Sequence, residues 1–226
     1  MKAMILAAGR GERMRPLTER TPKPLLEVGG ERLIERHLKR LAAAGFTNIV
    51  INLSWLGSQI RSCVGSGQRY GVEVRYSDEG PTALETAGGI FKALPLLGRG
   101  PFLVVNGDIW TDHPFEIAPL AAEAHAHLVL VPNPPQHARG DFALDGKHVI
   151  EDGPDRYTFS GIAVYRRDFF SGCEPGRFPL LPLLQRTLRD KRLTGELYGG
   201  AWHDLGTPER LAELDSELQA QARSGR

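Results

Sequence analysis

The sequence predicts an α/β fold, a Rossmann-like three-layer core on a mixed central sheet, and three observations carry that prediction. Apolar runs alternate with helical stretches between residues 3 and 106, the pattern of parallel strands joined by crossover helices. The first run, residues 3–8 (AMILAA), is apolar at every position, which suits a strand buried on both faces. Beyond residue 112 the alternation is less regular and includes a hairpin pattern, so antiparallel pairing enters the sheet.

The elements follow in order. Residues 3–8 form the first strand, and a polar loop rich in Gly, Arg, Thr and Pro runs from Gly9 to Pro24. Residues 31–44 read as a helix, because Leu33, Ile34, Leu38, Leu41 and Ala42 share one face and Gly45 supplies a C-cap. Residues 47–53 (TNIVINL) form the second strand, 55–64 a short helix and 72–76 the third strand. Residues 86–97 read as a helix with glycines near its start and Pro95 near its end. The fourth strand, 102–106 (FLVVN), runs into Gly107-Asp108. In the second half, 128–132 and 159–165 read as strands, and 141–144 with 148–151 as a hairpin around Asp145-Gly146. Residues 180–189 and 208–222 complete the helices, and 222–226 are expected to fray.

Nothing marks a domain boundary, a repeat or a low-complexity linker, so residues 1–226 are expected to form one domain. Lys and Arg number 28 against 27 Asp and Glu, a net charge of +1, which argues against a nucleic-acid partner. Cys63 and Cys173 form no C-x-x-C motif and are expected as buried free thiols. The apolar run before Arg10 is too short for a signal-peptide core, and no stretch is long enough for a membrane helix. A cytoplasmic protein with no membrane partner is the expectation.

In open α/β sheets, ligands sit beyond the carboxyl ends of the strands. The first strand ends at Gly9-Arg10-Gly11-Glu12-Arg13, where two glycines let the backbone approach an anion. Arg10, Arg13, Arg15 and Lys23 follow closely, so the loop reads as a phosphate site rather than a solvated basic loop. The dinucleotide fingerprint fails because Met14 takes the place of its third glycine. Gly140 to Gly146-Lys147-His148 fails as a P-loop, because its glycines are too far apart and His148 replaces the metal-binding Ser or Thr.

The string Leu6-Ala7-Ala8-Gly9-Arg10-Gly11-Glu12-Arg13-Met14-Arg15-Pro16-Leu17-Thr18, followed by Pro22-Lys23-Pro24-Leu25, strongly resembles the signature of the sugar-1-phosphate nucleotidylyltransferase family. The resemblance continues through Glu85-Thr86-Ala87-Gly88-Gly89, Asn106-Gly107-Asp108 and Trp202-His203-Asp204-Leu205-Gly206-Thr207-Pro208. Glu12 departs from the common Thr, and Met14 from Leu. The G-E-R-M-R-P variant, with Gly140-Asp141-Phe142 and Phe159-Ser160-Gly161, resembles most the bacterial branch that uridylylates N-acetylmuramate 1-phosphate in peptidoglycan recycling.

That resemblance implies a nucleotidyltransferase fold, a sugar-binding insertion at roughly 112–200, and small-molecule substrates, UTP and a sugar 1-phosphate. It implies nucleotide contacts at Gly9, Gly11, Glu12, Arg13, Lys23, Gly80 and Gly88, with base recognition by backbone at residues 6–9 and 79–80. It points to Asn106, Gly140, Asp141, Glu151 and Asp204 for the sugar, and to Asp108 and Asp204 as Mg²⁺ ligands. The commoner family pattern has Lys where Asp152 stands, with Arg139 or Lys147 as candidate replacements. Gly140 is expected to leave room beside the sugar's O3, and Arg139 to meet a lactyl carboxylate there.

The chemistry brings two polyanions together, so positioning and charge neutralisation dominate it. Arg13 would hold the β- and γ-phosphates and Lys23 the α-phosphate, as the catalytic cations. The alternatives are a uridylyl- or guanylyltransferase for glucose- or mannose-1-phosphate, and a nucleotide-sugar sensor without turnover. The lack of a long C-terminal extension favours a monomer. His125 and His127 read as polar strand-edge residues, His37 as a satisfied boundary histidine, and Trp110 as the best-placed of the three tryptophans for ligand contact.

Overall fold

The computed structural model describes residues 1–224. Its elements are β1 (Lys2–Leu6), β2 (Glu27–Val28), β3 (Glu31–Arg32), α1 (Leu33–Ala43), β4 (Asn48–Leu53), α2 (Gly57–Val64), β5 (Glu73–Asp78), α3 (Glu85–Leu97), β6 (Phe102–Asn106), β7 (Ile109–Thr111), β8 (Ala126–Val131), β9 (Phe142–Asp145), β10 (His148–Ile150), β11 (Arg156–Tyr165), α4 (Leu181–Arg189), β12 (Leu193–Leu197), β13 (Trp202–Asp204) and α5 (Pro208–Ser224). A nine-stranded sheet runs in the order β5-β4-β1-β6-β11-β8-β12-β10-β9. Its first four strands are parallel, and β11 pairs antiparallel to β6 and β8. The central sheet is therefore mixed, as expected.

Alternation along the strands builds the layers. In β1, Ala3 and Ile5 face a core shared with Ile34, Leu38 and Leu41 of α1 and Ile60 of α2. Met4 points the other way, into a core shared with Ile90, Leu94 and Leu97 of α3 and Leu184 of α4. Every residue of the AMILAA run is thus consumed by one of two cores or by the turn beyond it. Helices on both faces leave the strand ends as the place where the chain can meet a ligand.

Several boundaries differ from the sequence reading. The helix expected from Trp55 begins at Gly57, because the Trp55 indole donates to the Thr18 carbonyl (2.9 Å) and Leu56 is held at φ 51°. β12 carries a glycine and little apolar sequence, so it had no strand signal. Gly195 fits there because a Cβ would lie 2.8 Å from Val149. β8 lies between β11 and β12, so His127 is not at a sheet edge. Its ring meets the Thr194 hydroxyl at 3.0 Å. The two thiols are free but only partly buried. Residues 222–224, expected to fray, continue α5; 225 and 226 lie outside the described residues. No helix is long and apolar enough to cross a membrane among the described residues.

Candidate active site

The carboxyl ends of β1, β4 and β6 open into a cavity of about 440 Å³, within the size range of small-molecule sites. Residues 6–9, Gly11, Glu12, Arg13, Lys23, Asn52, Glu79, Asn106 and Asp108 line it, together with Ala83, Glu85, Thr86 and Gly206. The structure therefore brings together Gly9, Gly11, Glu12, Arg13, Lys23, Asn106 and Asp108 from the expected set.

The glycine loop is fixed from below. Gly11 adopts φ 62°, a conformation glycine reaches freely, and a Cβ there would press on Thr18 at 2.9 Å. The Thr18 hydroxyl donates to the Gly11 carbonyl at 2.7 Å. Met14, which stands where a dinucleotide loop would need glycine, is fully buried and pins the turn. Beside Gly9 lies open space, with no atom within 4 Å of a Cβ built there. Arg13 is exposed on the cavity rim.

Lys23 is not an exposed loop cation. Its side chain is 9% exposed, and its ammonium donates to Asp108 Oδ2 at 2.8 Å. A buried lysine of this kind requires an anion within reach. Asp108 sits at the turn between β6 and β7, and β7 pairs antiparallel with β13 in the register Ile109↔Asp204. The Leu205 amide donates to the Asp108 carbonyl at 3.1 Å, so both aspartates are carried by one two-stranded ribbon. Asp204 Oδ2 accepts from Arg210, and Asp204 faces a neighbouring groove lined by Trp202 and α5. Gly206, on the wall of the first cavity, packs directly against Asp204: a Cβ there would lie 3.1 Å from Oδ1. Thr207 caps α5, its hydroxyl accepting from the Arg210 amide at 3.4 Å.

The donor chemistry fits a hard divalent cation. Asp108 and Asp204 each keep Oδ1 outside their ion pair, and Mg²⁺ takes one or two protein carboxylates with phosphate and water completing its shell. Among the described residues no group of three His, Cys, Asp or Glu is arranged to hold a metal by protein ligands alone.

Other expected residues lie elsewhere. Gly80 forms the turn after β5, its amide bonded to Asp78 and its carbonyl to Ser54. Gly88 does not face the cavity: a Cβ there would lie 2.4 Å from the Gly176 carbonyl, so its smallness serves the packing of α3 against residues 176–178. Gly140 leaves no room for a sugar substituent, since a Cβ would lie 2.6 Å from Asn133 Oδ1 and 2.9 Å from the Tyr157 backbone. Asp141 and Glu151 line a separate cavity of about 290 Å³ with Asp152, Arg156, Gln185 and Arg189. The Asp141 carboxylate is engaged by the His137 ring and the Phe159 amide. Arg156, not Arg139 or Lys147, is the cation at Asp152. It also donates to the carbonyls of residues 139, 141 and 151.

Trp110 is 9% exposed and packs with Val28, Leu33, Leu205 and Leu214, with the Arg36 guanidinium 4.2 Å over its ring. It makes no part of the cavity wall. Sequence reasoning missed Asn52, a polar residue inside the buried strand INL, which was the available signal. It also missed what Gly161 does. At φ 81°, in the bulge of β11, it lets Asn106 Nδ2 come within 2.5 Å of where a Cβ would be.

His37 is buried rather than at a boundary, and among the described residues neither ring nitrogen has a hydrogen-bond partner in good geometry. Burial pushes its pKa down to about 4, partly offset by the Ile109 backbone. Because the folded state favours neutral His37, its contribution to stability is complete above about pH 6.5 and is lost as pH falls toward 4. Burial also lowers His113 and His127. Thermal unfolding measured from about pH 7 to 4.5 should show His37→Leu losing less stability on acidification than wild type, by up to about 3 kcal/mol. Parallel acid limbs would show that His37 does not set this sensitivity.

Residues 2–144 match the family model described as nucleotidyl transferase. The chain is 52% identical over 225 residues to N-acetylmuramate alpha-1-phosphate uridylyltransferase of Neisseria meningitidis serogroup B, covering 96% of this chain and 97% of that protein. It is 35% identical over 232 residues to the protein of the same name from Caulobacter vibrioides, covering 96% of each. A solved structure described as a glucose-1-phosphate thymidylyltransferase of Bacillus anthracis superposes with a TM-score of 0.84 at 24% identity, over 97% of this chain and 95% of that one, and shows the shared fold. The chain belongs to the nucleotidyl transferase family.

Proposed function

We propose that the protein transfers a uridylyl group from UTP to N-acetylmuramate 1-phosphate, giving UDP-N-acetylmuramate and pyrophosphate, as a cytoplasmic monomer in peptidoglycan recycling. The observation that carries the sugar assignment is the 52% identity, over nearly the whole of both chains, to the Neisseria uridylyltransferase. The chemistry is supported by the cavity that gathers the glycine loop, Arg13, Lys23 and Asp108.

A phosphate oxygen of the sugar attacks the α-phosphorus of UTP, and pyrophosphate leaves from the opposite side. No protein nucleophile is required. Arg13 and the amides of residues 11–13 hold the β- and γ-phosphates, so the leaving group's charge is met as it develops. Lys23 meets the α-phosphate. Its pairing with Asp108 holds the ammonium in a largely buried position until a phosphate oxygen competes for it. Asp108 and Asp204 would hold Mg²⁺, which when bound neutralises phosphate charge. Asn106, steadied against Gly161, binds the sugar at the cavity floor.

A coupled assay for pyrophosphate, run with four nucleoside triphosphates against several sugar 1-phosphates, tests the reading. The highest kcat/KM is expected for UTP with N-acetylmuramate 1-phosphate. If exposed Arg139 is the donor to the lactyl carboxylate, Arg139→Ala should raise KM for that sugar more than for N-acetylglucosamine 1-phosphate, and an unchanged preference would remove only that donor. Preference for a sugar lacking the lactyl group would remove the muramate assignment and keep the transfer chemistry. No pyrophosphate with any pair would leave the sensor reading.

A further inference from the structure

We infer that Asn52 and Glu79 form a two-residue brace that sets the wall of the nucleotide pocket away from its cations, and so position that wall for nucleotide selection; the inference rests on the proposed transfer reaction. Both side chains are buried, Asn52 4% and Glu79 7% exposed, and both line the cavity. The Ala7 amide donates to Asn52 Oδ1 at 2.7 Å, Asn52 Nδ2 donates to Glu79 Oε1 at 2.6 Å, and the Leu84 amide donates to Glu79 Oε2 at 2.6 Å. The chain of bonds joins the end of β1 to the segment entering α3, through β4 and the end of β5. Gly89 supplies the space, since a Cβ there would lie 2.4 Å from Glu79 Oε1.

The brace ends on two fixed backbone donors, so both of its ends must accept. Asparagine presents an acceptor oxygen on one arm and a donor NH2 on the other, and an ionised carboxylate presents acceptors on both. One amide and one carboxylate therefore satisfy the chain, in either order, whereas two amides or two carboxylates leave a mismatch. No Lys, Arg or His pairs with Glu79 among the described residues, and its two carboxylate oxygens are met by the Asn52 amide and the Leu84 backbone amide. Such an arrangement exceeds what packing would require. It holds the backbone of Ala7 and of residues 83–86, which face the pocket, at a set separation.

The test is the exchange of the two groups. Glu79→Gln and Asn52→Asp should each raise KM for UTP about tenfold or more, because a buried group loses its partner, while KM for the sugar 1-phosphate stays within about threefold. The swapped variant Asn52→Asp/Glu79→Gln restores every bond and should return KM for UTP to within about threefold of wild type. Single variants with wild-type KM for UTP, or a swapped variant no better than the worse single, would overturn the inference. If the singles do not fold, the swapped variant decides by the same criterion. Hydrogen exchange at the Ala7 and Leu84 amides reads the brace without turnover: slow in wild type and swapped variant, at least about tenfold faster in either single. Wild type that releases no pyrophosphate while keeping this exchange pattern would count against the proposed reaction, not against the brace.

Discussion

Asp108→Asn and Asp204→Asn are each expected to reduce turnover at ordinary Mg²⁺ by about 10²-fold or more, with the fold retained. Each substitution removes one negative charge and keeps the shape. The amide that Asp108→Asn introduces can still accept a bond from Lys23, but it no longer neutralises a buried ammonium, so a loss of about 1–2 kcal/mol of stability accompanies the loss of rate. Asp204 is paired with Arg210, and both side chains retain contact with solvent, so Asp204→Asn should cost less stability for a comparable loss of rate. Excess chelator should reproduce the rate loss in wild type without unfolding it. Raising Mg²⁺ should recover part of the activity of either variant, because a weakened site fills at higher concentration. Full turnover in excess EDTA would remove the metal from the reaction.

The parallel half of the fold was legible because each signal there was local. A strand buried on both faces has to be apolar throughout, and residues 3–8 and 102–106 are nearly so; the observed β6 has the bounds expected of it. The glycine loop was legible for the same reason, since it follows its strand directly. What the sequence hid depended on distant partners. β12 is a strand because β8 and β10 flank it, and LTGEL carries little of that information. β7 and β13 are three residues each and exist because they pair with one another. Gly88 and Gly140 fit a motif, but what needs their smallness is the Gly176 carbonyl in one case and Asn133 with the Tyr157 backbone in the other, contacts that no local pattern encodes. Trp110 follows Asp108 by two residues, yet Asp108 lies in the turn before β7 while Trp110 lies within β7 and packs into the core beneath Arg36 rather than toward the cavity.

Lys23→Ala is expected to lower turnover by about 10²–10³-fold, the effect of removing one preorganised donor from a developing negative charge. The structure changes what should accompany that loss. An exposed loop lysine would leave stability unaffected, but Lys23 is buried and is the counterion of Asp108. Its removal leaves a small void and a carboxylate without its partner. Because the Asp108 side chain is 41% exposed, water meets much of that need, and a stability loss of about 1 kcal/mol is expected. Arg13→Ala provides the contrast. Arg13 is exposed at the rim, so the same order of rate loss, about 10²-fold, should come with a stability change within about 0.5 kcal/mol. The two cations should also differ in which constant moves. In the proposed reaction Arg13 holds phosphates already charged in the ground state, so KM for the triphosphate should rise as kcat falls. Lys23, on the same proposal, meets charge that grows on the α-phosphate during transfer, so kcat should carry most of its effect. Steady-state kinetics with thermal unfolding on the same preparations checks all four quantities. A Lys23→Ala enzyme turning over near the wild-type rate would leave Lys23 as no more than the structural partner of Asp108.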